Sequence, residues 1–450
     1  MNRAAGALTL LLLTAPGAAQ SAASRPRPEP LLVVLTPQAF AAELSGFVAW
    51  KRAHGLGVEV ATLEAVTAGP GGDDAEKVKR WLFARKQAVP ALRYVLLVGD
   101  ADVFPVRYMV LDRVTEAAFD YAFYPSDLYY ADLQKADGAF EDWNGARDGF
   151  HARYFGEVRG EKHKQGEINF DAIDYQPELA VGRWPVSTPE EVRRVAAKTL
   201  AYERAVLAGD KTLRRAATWA VPGWIECRPG MDSAASSLPE SWAVDKHHFE
   251  RISRDDFVKT LSEGVGLVLH AGHGEADRWD RCFDWSVLDT LQNQTLPILM
   301  SIGCTTGRFA TLPPYEGYVD EQGVEQKGTN HGQVFTSPPP APACYQRGKH
   351  NPPGIGELFV RKTAHGAVAY IGCNTGGQPC ALTLLQGFCK ALGAGAPRLG
   401  DAFAQGVSHY YATEKLAELR PNESWYPPSV FFQAMKYMLF GDPSLRLPRK

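Results

Sequence analysis

The 450-residue sequence predicts an α/β fold of mostly parallel strands with helices on both faces, arranged as two sheet-containing subdomains. Three observations carry this reading. Apolar runs of strand length alternate with segments of helical period through the first half. A second series of sheet-building runs follows in the other half. The runs, "LLVVLT" among them, are apolar at nearly every position, which is the pattern of strands buried on both faces.

In chain order, residues 31–36 ("LLVVLT") read as a buried strand and the residues through His54 as an amphipathic helix. "GVEVATL" is a second strand, Asp74 to Gln87 a helix and "YVLLVGD" a third strand. "PELAVGRWPV" is a strand running into the strongest helix signal of the chain, "STPEEVRRVAAKTLAYERAV". Thr188 is its N-cap, Pro189 takes the first helical position, where a missing N–H costs nothing, and Glu191 closes a capping box. Downstream come "AATWAVPG", a helix over Arg254 to Glu263, "GVGLVLH", "LPILMSIGC" and "GAVAYIGC". A helix from Thr383 to Leu392 and two more precede "MLFGDPSLRL". The subdomains are therefore drawn at 31–207 and 208–450. Residues 311–352, Pro/Gly-rich and containing "SPPPAP", form a long loop insertion, either disordered or a lid beside a site. A polar stretch from Gln134 to Gln176 interrupts the first half.

A net charge of -3, with acids and bases interspersed, provides no basic footprint for nucleic acid or a membrane surface. Residues 1–19 carry an arginine, the apolar run Ala4 to Leu13 and then small residues, the pattern of a secretory signal peptide; residues 20–30 are a Pro-rich leader. No later segment is long and apolar enough to span a bilayer, so a periplasmic or extracellular location is expected. In such an oxidising compartment the seven cysteines suggest up to three disulfides and one thiol kept free, or else several buried small apolar side chains.

Two strand ends carry the chemistry. "LVLHAGHG" delivers His273 and "ILMSIGC" delivers Cys304, 31 residues later, with room between them for a crossover to a neighbouring parallel strand. Ligand and catalytic groups in open parallel sheets gather at such carboxyl ends. A cysteine nucleophile needs a base or local positive field, and an imidazole supplies both, then protonates the leaving amine. Gly274 lets its amide approach a substrate closely, and with the Cys304 amide it would form a two-donor oxyanion hole.

Here the chain resembles the gingipain family of cysteine peptidases, relatives of caspases and clostripain. The likeness spans "LTPQAFAAELSGFVAWKRAHGLGVEVATL", "YVLLVGDADVFPVRY", "YPSDLYYADL", "PELAVGRWPVSTPEEV", "HAGHG", "SIGCTTG" and "LFGDPSLRL". It implies a caspase-like fold, His273 as general base, Cys304 as nucleophile, no organic cofactor and a protein or peptide substrate. It also implies cutting after Arg or Lys through a pocket carboxylate, for which Glu226 and Asp232 are the candidates or else ordinary solvated acids; Trp279 and Trp285 either wall that pocket or belong to the core. Cys373, at the end of "YIGC", is the runner-up nucleophile or a disulfide partner; Cys282 reads as a disulfide half. Asp142, Asn144, Asp148 and Glu157, in "DWNGARDGFHARYFGE", are oxygen donors of the kind that bind a structural calcium ion, and similar loops recur in relatives. An Asx-rich turn would explain them without metal. His270 reads as a buried, hydrogen-bonded residue rather than a zinc ligand beside His273. The alternative to a peptidase is a catalytically silent surface or secretion-associated module in which Cys304 is tied in a disulfide.

Overall fold

The structure, a computed structural model, describes residues 29–110, 123–143, 173–328, 340–420 and 426–448. The expected signal peptide, Asn144, Asp148 and Glu157 lie outside the described residues.

The apolar runs form the strands β1 (Leu31–Thr36), β2 (Gly57–Thr62), β3 (Leu92–Val98), β4 (Ala180–Trp184) and β5 (Arg215–Ala220). They continue as β6 (Ala243–His248), β7 (Leu267–Ala271), β8 (Ile298–Ser301), β9 (Ala369–Cys373) and β10 (Tyr437–Phe440). All ten join one sheet in the order β2-β1-β3-β4-β10-β9-β8-β7-β5-β6. Residues 31–207 supply one contiguous block of it and residues 208–450 the other. The blocks meet where β10 lies parallel to β4 through Phe440 and Arg183. Only β10 against β9 is antiparallel. Alternate residues of β1 enter opposite cores, Val33 and Leu35 on one face, Leu32 and Val34 on the other, so the sheet is covered on both sides.

The helices include α1 (Ser45–Ala53), α2 (Asp74–Ala88), α3 (Pro189–Ala208), α4 (Arg228–Ser236), α5 (Arg254–Ser262), α6 (Ile355–Arg361), α7 (Ala381–Gly393) and α8 (Leu399–Thr413). The segment expected as one helix through His54 begins as a 3-10 turn, Gln38–Leu44, before α1. In α3 the Glu191 amide donates to Thr188 Oγ1 at 3.2 Å. The Glu191 carboxylate accepts from the Ser187 amide at 2.8 Å, so the box closes one residue early. Gly209, at φ 73°, stops the helix in the left-handed conformation.

Buried charge ties the two ends of the chain together. The Lys51 ammonium of α1 sits 2.5 Å from Glu203 of α3 and 2.5 Å from Asp442 in the terminal "FGDPS" block. Removing one partner would leave an uncompensated charge inside, so these three side chains specify one arrangement of the halves. The described parts of the 311–352 insertion are ordered onto the first half. Tyr318–Val319 pairs with Glu325–Gln326, and the Val106 amide donates to the Cys344 carbonyl at 2.8 Å. Among the described residues no helix is long and apolar enough to cross a membrane.

Candidate active site

β7 and β8 are parallel neighbours with His270 opposite Ser301. His273 and Cys304 each follow that pair by three residues. The two turns touch backbone to backbone: a Cβ on Gly303 would stand 3.1 Å from the Gly274 nitrogen, and one on Gly274 only 2.5 Å from the Thr306 methyl group. Glycine at both places allows this approach. The ladder ends at β8 because the Ser301 hydroxyl accepts the Gly303 amide at 3.1 Å and bonds His270 Nδ1 at 2.8 Å. Thr306 then donates to the Gly303 carbonyl at 3.0 Å, and Thr305 takes φ 53°, a left-handed conformation unusual for a β-branched residue. α6 closes the far side, its Ile355 amide donating to the Ala276 carbonyl at 2.7 Å.

His273 is exposed, with Nε2 3.0 Å from the Gly223 carbonyl oxygen at the end of β5. A carbonyl can only accept, so Nε2 carries the hydrogen and, in the neutral ring, Nδ1 presents the lone pair. Cys304 is a half-buried free thiol whose Sγ accepts the Gly377 amide at 3.2 Å. Among the described residues no hydrogen bond joins His273 directly to Cys304.

Two backbone N–H groups lie beside His273 and Cys304 in sequence, those of Gly274 and Cys304. The Asp280 amide donates to the His273 carbonyl at 3.1 Å, making 273/280 the hydrogen-bonded pair of the small hairpin and Gly274/Trp279 the non-hydrogen-bonded one. The Gly274 N–H therefore points away from its partner strand. The amides of Ile302, Gly303, Thr305 and Gly307 are each spent on a protein acceptor, whereas the Cys304 amide has none among the described residues.

All seven cysteines are free thiols, so the expected disulfides are absent and no bridge ties up Cys304. Cys227, Cys282, Cys373, Cys380 and Cys389 pack as small apolar side chains in the core. Burial pushes the Cys373 and Cys282 thiols up to about 12, which leaves them no thiolate at neutral pH. His270 is fully buried, stacked on Trp279 with ring centroids 4.2 Å apart, and burial lowers its pKa to about 3.

The substrate-pocket residues separate. Trp279 is not a pocket wall: it is 0% exposed, held in the core by His270 and by its indole N–H, which donates to Tyr370 Oη at 2.8 Å. The aromatic run "RWDRCFDW" alternates across a hairpin, which turns Trp279 inward and leaves Trp285 42% exposed. Both acids already hold a base of this chain. Glu226 pairs with Arg228 through both carboxylate oxygens, at 2.8 and 2.5 Å, and Asp232 of α4 pairs with Lys246 of β6 at 2.5 Å. Of the four candidate calcium ligands only Asp142 is described, half-buried beside the core residue Trp143.

The sequence profile of peptidase family C25 matches residues 25–448, nearly the whole chain. The chain belongs to peptidase family C25. It is 20% identical to gingipain R2 of Porphyromonas gingivalis over 292 residues, 62% of this chain and 32% of that protein. It is 20% identical to gingipain R1 of the same organism over 297 residues, 63% and 24% of the two. It thus spans about a third or less of these curated relatives. The crystal structure of the Arg-specific cysteine proteinase gingipain R superposes with a TM-score of 0.63 at 17% identity, covering 94% of this chain and 79% of that one. That likeness shows the caspase-like α/β fold. Two contributors to the C25 chain's site escape sequence reasoning, the Gly223 carbonyl and the Gly377 amide. Their only signals are glycines just past strand ends, in "VPG" and "NTGG".

Proposed function

We propose that this chain is a secreted cysteine endopeptidase in which Cys304 is the nucleophile and His273 the general base. The observation carrying the proposal is that His273 and Cys304 each follow the His270/Ser301 pair of adjacent parallel strands by three residues, with Gly274 and Gly303 in backbone contact beside them. His273 Nδ1 takes the thiol proton, and the sulfur electron pair attacks the scissile carbonyl carbon. The developing oxyanion is received by the N–H groups of Gly274 and Cys304. The imidazolium returns its proton to the leaving amine, which departs and leaves a thioester. Water, deprotonated by the same imidazole, attacks the thioester, the carboxylic acid leaves, and the proton returns to sulfur. No cofactor enters these steps. Turnover of a panel of fluorogenic peptides by wild type and Cys304→Ala tests the assignment: hydrolysis by the wild type that survives unchanged in the variant removes it.

A preference for Arg or Lys before the cut is proposed through Asp232, with Trp285 as an exposed wall. The Asp232–Lys246 pair is about half exposed. Such pairs contribute only about 0–1 kcal/mol, so a substrate cation can displace Lys246. Glu226, chelated by its neighbour Arg228, is the weaker candidate. Asp232→Asn is expected to lower kcat/KM about tenfold for Arg and Lys peptides and to leave uncharged ones unaltered; a uniform change for both would refute it. Calcium is proposed for the loop bearing Asp142, Asn144, Asp148 and Glu157, from its oxygen-rich composition alone, as a stiffener of that loop. Protection of the loop from proteolysis by calcium but not magnesium tests this.

A further inference from the structure

A segment outside the His/Cys pair reaches the sulfur. Residues 374–378 leave β9 and run beside the 303–307 turn, where the Thr305 amide donates to the Thr375 carbonyl at 2.7 Å and the Gly307 amide to the Cys373 carbonyl at 2.8 Å. These two bonds bring the Gly377 nitrogen to 3.2 Å from Cys304 Sγ, its N–H donating to the sulfur. The Gly377 carbonyl oxygen, 3.7 Å away, faces the same atom and accepts from S–H when the thiol is protonated.

Only glycine fits there. A Cβ at 377 would stand 2.6 Å from the Ile302 carbonyl oxygen and 3.5 Å from the Cys304 nitrogen. At the adjacent Gly376 a Cβ would meet nothing within 4 Å, so the pair contains one constrained and one free position. A hydrogen bond strengthens when its acceptor becomes charged, and a donor already aimed at the atom where charge develops needs no reorganisation.

We propose that Gly377 is a third element of the catalytic site, its backbone N–H being the donor that holds the Cys304 sulfur as an anion. The inference rests on the reading of Cys304 as nucleophile. When the S–H bond breaks, the proton passes to His273 Nδ1, the electron pair stays on sulfur, and the Gly377 N–H keeps its place against it. The carbonyl releases the sulfur at the same moment, having lost the hydrogen it accepted.

The test compares Gly377→Ala and Gly376→Ala in the full chain, reading the rate of iodoacetamide alkylation at Cys304 against pH. Gly377→Ala is expected to raise the midpoint of that profile by about one pH unit, a tenfold change in the proton equilibrium. Gly376→Ala is expected to match wild type. A cooperatively folded Gly377→Ala protein with the wild-type midpoint overturns the proposal. Should Gly377→Ala not fold, the wild type decides: the Gly377 amide proton resonance is expected to titrate with the alkylation midpoint, and an unmoved resonance overturns the proposal. Neither readout requires turnover. An amide that titrates with the thiol in a protein that cuts no peptide would sink the peptidase reading and leave this contact standing.

Discussion

Cys304 and Cys373 end neighbouring strands in nearly the same words, Ile-Gly-Cys-Thr-Thr-Gly and Ile-Gly-Cys-Asn-Thr-Gly, yet one thiol reaches the surface and the other is sealed in the core. The difference lies one residue upstream of the shared motif. In β9 the ladder runs through the cysteine, with Gly372 opposite Met438 and Cys373 opposite Tyr437 of β10. In β8 it stops at Ser301, whose hydroxyl captures the amide two residues on, as short hydroxyl side chains do. The matching residue in β9 is Tyr370, whose hydroxyl lies out at the end of its ring and receives the Trp279 indole. A strand that ends three residues early turns the same motif outward, so the end of the ladder, more than the motif, selects which thiol can react.

The largest effect expected from this contrast is on activity. Cys304→Ala should lower kcat/KM by about 10⁴-fold or more, as loss of a covalent nucleophile does. Cys373→Ala should leave turnover within about twofold while lowering stability by about 1–2 kcal/mol through the cavity left in a packed site. Kinetics and denaturant unfolding on both variants measure it. Comparable loss of turnover in the two would erase the distinction.

A second, smaller effect concerns the histidine that anchors Ser301. His270 is neutral in the folded chain because burial lowers its pKa from the ordinary 6.5 to about 3. The unfolded chain binds this proton as pH falls below 6.5 and the folded chain does not until about 3. The stability this site contributes is therefore complete above 6.5 and drains away as pH falls, at a limiting slope of about 1.4 kcal/mol per pH unit. His270→Gln, which keeps a hydrogen-bonding partner for Ser301, should lose up to about 2 kcal/mol less than wild type between pH 7 and pH 5. Urea unfolding at the two pH values checks it, and parallel losses would place the acid sensitivity elsewhere.

The same contrast marks how far the sequence could be read. Strands and the Thr188 helix cap are local or periodic signals, and they reappear at the expected residues. The continuity of one sheet through β4 and β10 was not legible, because strand neighbours far apart in sequence are chosen by packing. The choice between wall and core for Trp279 was not legible for a related reason: a two-residue hairpin decides which indole of "RWDRCFDW" points inward, and no period is visible over so short a span. The disulfide expectation followed from compartment and count, whereas cysteine burial is a tertiary property. Backbone groups such as the Gly223 carbonyl leave no letter at all, only a glycine where the chain must pass close.

Thr305 sharpens the comparison at the finest scale. It sits at φ 53° directly after Cys304, while Asn374, directly after Cys373, is not in the left-handed region although asparagine tolerates it better. The unfavourable residue therefore occupies the strained position at the site, and its amide is fastened to Thr375 at 2.7 Å. Left-handed backbone costs an L-residue about 1–2 kcal/mol, and glycine gives back part of that as entropy. Thr305→Gly is expected to stabilise the chain by about 1 kcal/mol and to lower kcat several-fold with KM little changed, since a looser turn holds the sulfur less firmly against the Gly377 amide. A more stable variant with undiminished kcat would show that the strain serves only the turn, and the placement of Cys304 would then rest on Ser301 and the Gly274–Gly303 contact alone.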